Sequence, residues 1–164
     1  METINDSAQL IDCQPADYPQ LIDWIDSDEL NYLWGGPKFD YPLTIEQLQQ
    51  HYGQHAARPF LFFIDKQLAG FIELYRFCKV EHRICRVLIC PAHRGKGYAA
   101  IMMKLAIKKA QEQYQAQRLS LRVFAHNQAA ISCYQTLGFN TDEVVKDAGN
   151  GNGWVLVYMS LCLE

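Results

Sequence analysis

The sequence predicts an α+β domain on a mixed, mostly antiparallel sheet flanked by helices. Three observations carry that expectation. Apolar alternation marks strand pairs towards both ends of the chain, and a strand–helix–strand unit lies between them. No internal repeat and no Pro/Gly/Ser-rich linker divides the 164 residues. That length is close to the ~150-residue size of one domain, so residues 1–164 are read as a single domain with its own core.

The elements follow in order. Residues 9–13 form a short first strand, and residues 17–26 a helix, with Tyr18, Leu21, Ile22 and Ile25 at helical spacing. Trp34-Gly35-Gly36-Pro37 breaks the pattern. Thr44 with Gln47 makes a capping box that opens a helix running to about residue 55. Residues 60–64 and 68–77 read as a hairpin turning at Asp65-Lys66-Gln67, and residues 83–90 as another strand. A long helix fits residues 97–115, with Ile101, Met102, Leu105 and Ala106 on one face and Lys104 and Lys108 turned away. A strand at 119–123 and a short helix at 128–137, stopped by Gly138, come next. Strands at about 141–145 and 154–161 flank a Gly-rich turn at 149–153.

No apolar run approaches the ~20 residues a membrane helix needs. Glu2, Asp6 and Asp12 stand where a secretory signal would place a basic start and an apolar segment. A cytoplasmic protein is predicted, with no membrane or nucleic-acid partner. Its six cysteines include no C-x-x-C pair and are read as reduced thiols. His82, Cys85, Cys90 and His93 superficially resemble a zinc site. On a strand, however, residues an odd number apart point to opposite faces, so no metal is expected and the histidines are read as surface residues.

The segment that carries chemistry is residues 86–100. A buried strand ends at Pro91, a glycine loop follows, and a long helix begins. Such a junction leaves free backbone N–H groups at a helix N-terminus, where a phosphate binds. Gly95 and Gly97 allow close approach of a ligand, and Arg94 and Lys96 add positive charge. The bland alternative is a Gly-rich turn that merely starts a helix. A nucleotide-hydrolysing loop would need Ser or Thr after Gly95-Lys96, and Gly97 stands there. Gly95-x-Gly97-x-x-Ala100 fits the loose dinucleotide fingerprint, but the next strand ends in Arg122-Val123-Phe124 and not in the acid that holds a ribose.

Arg94-x-x-Gly97-x-Ala99 matches the Q/R-x-x-G-x-G/A acyl-CoA loop of the GNAT family of N-acetyltransferases. Leu119-x-Leu-Arg-Val-x-Ala-x-Asn127 resembles the next strand of that family. Asn127-x-x-Ala130-x-x-x-Tyr134-x-x-x-Gly138-Phe139 resembles its short helix. Residues 154–159 resemble its last strand. The Arg94-Gly-Lys-Gly-Tyr pattern and the Trp34-containing segment look more like the broad RimJ/RimL-type group.

The resemblance implies an acetyl-CoA-dependent N-acetyltransferase with direct attack of an amine on the thioester. Val87, Leu88 and Ile89 would pair with the pantetheine arm, and a strand amide there would polarise the thioester carbonyl. Gly95, Lys96, Gly97, Tyr98, Ala99 and Ala100, with Arg94, would hold the pyrophosphate. Asn127 corresponds to a cofactor contact, although its plain reading is a helix N-cap. Tyr134 corresponds to the general acid for the departing thiolate, although a Tyr on an amphipathic helix is usually core. Where the ribosomal-protein alanine acetyltransferase branch carries a glutamate base, this chain has Arg122. Glu73 is the substitute base, ahead of Glu81 and His82; otherwise water relays the proton or the amine arrives neutral. A non-catalytic acyl-CoA-binding sensor or interaction module on the same fold is the alternative.

Charge divides the chain. Residues 1–50 hold ten acids and one base, Lys38, while residues 76–122 hold eleven bases against Glu81 and Glu112. The expectation drawn from this split is a small-molecule or peptide amine acceptor that is cationic, met by Asp26, Asp28 and Trp34 on the acidic side.

Overall fold

Strand-length apolar alternation becomes one sheet. The computed structural model describes residues 7–146 and 153–163. Strands β1 (Ala8–Asp12), β2 (Ala57–Ile64), β3 (Gln67–Arg76), β4 (Glu81–Ile89), β5 (Arg118–Phe124), β6 (Asn140–Val145) and β7 (Leu156–Cys162) pair in the order β1-β2-β3-β4-β5-β7-β6. Every neighbouring pair is antiparallel except β4–β5. Parallel strands need a long crossover, and here it is α4 (Tyr98–Tyr114). The β2–β3 turn places Asp65 at φ 48° and Lys66 at φ 65°, two left-handed residues in a two-residue hairpin loop.

Alternation also divides the core. Phe60, Phe62 and Ile64 of β2 pack in one cluster, with Met102, Met103 and Ala106 of α4 and Ile131 and Tyr134 of α5 (Gln128–Thr136). Leu61 of β2 packs in the other, with Leu21 of α1 (Tyr18–Trp24), Trp34 of α2 (Asp28–Gly35) and Leu48 of α3 (Ile45–Tyr52). Phe60, Phe62 and Phe71 are almost or wholly without exposure, and each such ring contributes about 1.5–3 kcal/mol through burial.

Four expectations change here. Helix α2 has no counterpart among the predicted elements. Ser27 caps it by accepting from Leu30 N–H at 3.1 Å, Asp28 and Glu29 fill its first turn, and Gly36 at φ 59° ends it. Only half of the capping box at α3 forms. Thr44 accepts from Gln47 N–H, but the Gln47 side chain spans back to the Asp40 backbone and the Pro42 carbonyl. His82 is a core residue stacked on Tyr114 at 5.5 Å. Burial and the nearby arginines hold its imidazole below the ordinary histidine value. The buried line of α4 runs Met102, Met103, Ala106, Ala110, with Ile101 and Leu105 at its margin. The Gly-rich turn lies outside the described residues, apart from Gly153.

Candidate active site

The site is built where β4 leaves β5. Their parallel ladder runs from Glu81↔Arg118 only to Ile84↔Leu121, so beyond Ile84 the β5-facing edge of β4 is unpaired. The parting coincides with a bulge. Between Phe71↔Leu88 and Glu73↔Cys85, β4 advances three residues while β3 advances two. The extra residue centres on Arg86, whose φ is +54°. Face parity inverts there. Ile84 packs on the α4 side, yet Leu88, four residues on, packs in the opposite cluster with α1–α3. Gly70 permits the close β3–β4 approach, because a Cβ there would stand 2.5 Å from the Leu88 carbonyl oxygen.

A left-handed arginine persists only where its surroundings over-determine it. The Arg86 guanidinium donates to Glu73 Oε2 at 2.8 Å, and its carbonyl accepts from Trp34 Nε1 at 3.0 Å. Glu73 Oε1 lies 3.0 Å from His51 Nε2 of α3. Glu73 has no exposure and His51 is 5% exposed. Burial alone would push the Glu73 carboxyl up, but the His51 hydrogen bond and the Arg86 charge together hold it below the ordinary carboxylate value. Glu73, expected as a base, is therefore a buried counter-ion off the cavity wall. A base must come within about 3 Å of the proton it takes, directly or through one water.

The splay opens a cavity of ≈ 590 Å³ between α2 and the β4–β5 fork, within the usual size range of small-ligand sites. Val87, Asn127 and Tyr134 line it. Asn127 caps α5, its Oδ1 accepting from Ala130 N–H at 3.4 Å, and its amide presents two further donors. Burial pushes the Tyr134 phenol well above its ordinary value, so it keeps its proton. Cys85 also lines the cavity, and burial beside Glu73 pushes its thiol up to about 12, which leaves it a poor nucleophile. Among the described residues, the cavity wall holds no carboxylate and no histidine.

At the far end of β4, the loop reaches α4 through Gly95 (φ +75°) and Gly97 (φ +77°). A Cβ on either would meet nothing within 4 Å, so the approach to the helix N-terminus is open. Gly97 caps α4 without a side chain, leaving the N–H groups of the first turn, from Tyr98 through Ala99 and Ala100, without intrahelical partners. Lys96 is exposed beside them. Arg94 folds back, its Nε donating to the Ile89 carbonyl at 2.9 Å, which ties the loop to the strand end. An unpaired strand edge leading to an uncapped 17-residue helix fits a long ligand ending in a diphosphate.

Cys90 follows as a pair with His93: Sγ and Nδ1 are 3.0 Å apart, and His93 Nε2 meets Gln67 Oε1 at 3.2 Å. Among the described residues, no three His, Cys, Asp or Glu side chains gather where they could hold a metal ion. Asp26 and Asp28 are exposed and lie off the cavity wall. Trp34 does line the cavity, but its ring is stacked on Phe39 at 5.7 Å and tilted against Phe71, as a core aromatic. The acidic wall expected for a cationic acceptor is therefore not assembled by these three residues. Lys38, Arg83 and Arg86 are charged groups of the cavity that sequence reading left out, and Arg122, which stands where a glutamate base was sought, lines it as well. None of the described helices is long and apolar enough to cross a membrane.

Comparison with known proteins agrees with this geometry. The family model for the acetyltransferase (GNAT) family matches residues 18–139. The acetyltransferase PseH of Campylobacter jejuni is 24% identical over 127 residues, 77% of this chain and 79% of its own. Its crystal structure superposes with a TM-score of 0.69 at 19% identity, covering 96% of this chain and 99% of that one. Spermidine N-acetyltransferase from Vibrio cholerae, solved with CoA and spermine, gives a TM-score of 0.82 at 21% identity, covering 96% of each chain.

Proposed function

The chain belongs to the acetyltransferase (GNAT) family, and on that footing we propose that it moves an acetyl group from acetyl-CoA to a primary amine by direct attack. The observation that carries the proposal is the fork. An unpaired β4 edge runs from the cavity at Val87 to the open N-terminus of α4. Acetyl-CoA supplies an acyl carbon activated as a thioester: the C–N bond forms as the C–S bond breaks, and the amine's proton is exchanged for one on sulfur. The first-turn N–H groups of α4, with Gly95, Lys96 and Gly97, receive the diphosphate. Backbone groups on the β5-facing edge of Val87, Leu88 and Ile89 pair with the pantetheine arm and polarise the acyl carbonyl, the Ile89 carbonyl being held by Arg94.

Tyr134 donates a hydrogen bond to the sulfur as negative charge grows there. Tyr134 acts as general acid to the departing thiolate, and the proton the amine loses to water restores the phenol. Glu73 acts on this site by holding the Arg86 bulge. The RimJ/RimL-type placement rests on the loop pattern and the Trp34 segment.

Titration calorimetry with acetyl-CoA tests the cradle. Wild type should bind without an acceptor, and Gly97→Asp, which puts a side chain and a negative charge into the diphosphate site, should not. Equal affinity in a folded Gly97→Asp protein would refute the assignment.

A further inference from the structure

The sheet face of the cavity carries paired cations that the transfer itself does not use. Arg83 of β4 and Arg122 of β5 both line the cavity. Arg83 is in register with Ser120, and Arg122 stands two residues further along the same strand, so the two arginines are diagonal neighbours on one face. Neither has a carboxylate partner among the described residues. Each lies over an aromatic ring instead: Arg83 Cζ is 5.2 Å from the Phe77 centroid, and Arg122 Cζ is 4.5 Å from that of Tyr158, its cross-strand neighbour. Those rings orient the guanidinium groups without neutralising them.

Further donors on this wall lack acceptors. Arg83 Nε, Arg86 Nε and the Tyr32 hydroxyl are buried in the wall with no hydrogen-bond partner among the described residues. Lys38 adds a third cation from the opposite side, again with no carboxylate partner among the described residues. A concave site rich in donors, whose described wall holds no carboxylate, attracts anions and repels cations. Two adjacent arginines suit a carboxylate or phosphate, because each planar fork can bind two oxygens.

These cations are separate from the diphosphate cradle. Arg83 precedes Cys90 by seven residues, about 20 Å along a strand, with the whole unpaired edge of β4 between. We infer that the acceptor amine carries an anionic group, a carboxylate or a phosphate, bound by Arg83 and Arg122 at the end of the cavity away from α4. This inference rests on the transferase reading. It replaces the cationic acceptor suggested by the acidic N-terminal third, whose Asp26 and Asp28 face solvent.

The test uses the full chain saturated with CoA, so that the α4 cradle is occupied, and titrates it with inorganic phosphate and with glutarate. At least one of the two should bind at about 10 mM or below, and Arg83→Gln and Arg122→Gln should each weaken it about tenfold. The tighter anion names the group. Both arginines sit on the open sheet face, and unchanged CoA affinity in the variants reports an intact fold. In CoA-release assays, 2-aminoethyl phosphate over ethanolamine and 4-aminobutanoate over 4-aminobutanamide report the preference directly. The anionic member should lead in kcat/KM, by a margin that both substitutions reduce. No binding of either anion, affinities that both substitutions leave unchanged, or preference for the neutral member would overturn the inference. A chain that binds no acetyl-CoA would instead count against the transferase reading.

Discussion

Replacing Glu73 by Gln removes one charge from the buried Arg86–Glu73–His51 cluster while keeping its volume. Removing one partner of a buried ion pair costs about 3–5 kcal/mol, because the other charge is left uncompensated. The Arg86 side chain keeps 11% exposure and can lean towards the cavity, which points to the lower end. A loss of about 3 kcal/mol lowers the melting temperature by about 6–12 °C in a chain of this size. The Arg86 bulge would loosen with it, so kcat/KM should fall while the acid–base limbs of the pH profile stay in place. Urea unfolding measures the first effect, and pH-dependent CoA release the second. If Glu73 were the base after all, the Glu73→Gln protein would keep its stability and lose a limb of the profile, and that result would refute the positioning role. The sign with pH is fixed. A carboxyl held below its unfolded value of about 4.3 stabilises fully above that pH, and the contribution disappears as pH falls through the lowered folded value.

Tyr134→Phe should lower kcat about 100-fold in a chemistry-limited assay with acetyl-CoA affinity nearly unchanged; full turnover would return Tyr134 to the core. Because the described cavity wall offers no carboxylate or histidine, kcat/KM should rise with pH until the acceptor amine is itself neutral. Amines of different pKa should shift that limb one for one, and a fixed limb near pH 6–7 would reveal a protein base. Cys85→Ala should retain turnover, since a thiol pushed up to about 12 is no nucleophile; loss of acetyl transfer in a folded variant would point to a covalent route.

The loop and its helix were legible because a glycine loop opening a helix is a local feature. Gly95, Gly97 and the start of α4 are contiguous, and their geometry follows from the residues themselves. Asn127 and Tyr134 stood out through the family resemblance of α5 and its N-cap, and both line the cavity. The Arg86 bulge was not legible, since a left-handed arginine looks like any strand residue and is held by Trp34 and Glu73 from distant segments. Without the bulge, period-two alternation assigns Ile84 and Leu88 to one face, whereas the structure divides them. Helix α2 escaped because its eight residues mix Asn31, Trp34 and Gly35 in the buried set and end beside two glycines. The charge split did not locate the cavity wall for a related reason: composition counts acids along the chain, while the sheet selects which side chains share a wall. Asp26 and Asp28 are exposed and off the cavity wall, which Arg83 and Arg122 line.

The central claim, direct transfer to an amine, is tested most directly by mass spectrometry of both enzyme and acceptor during turnover with acetyl-CoA. The account predicts one acetyl group on the amine nitrogen for each CoA released, with no acetylated enzyme at any time point. An acetyl group on Cys85 or another side chain that passes to the amine on a chase, or release of CoA without an acetylated amine, would contradict it.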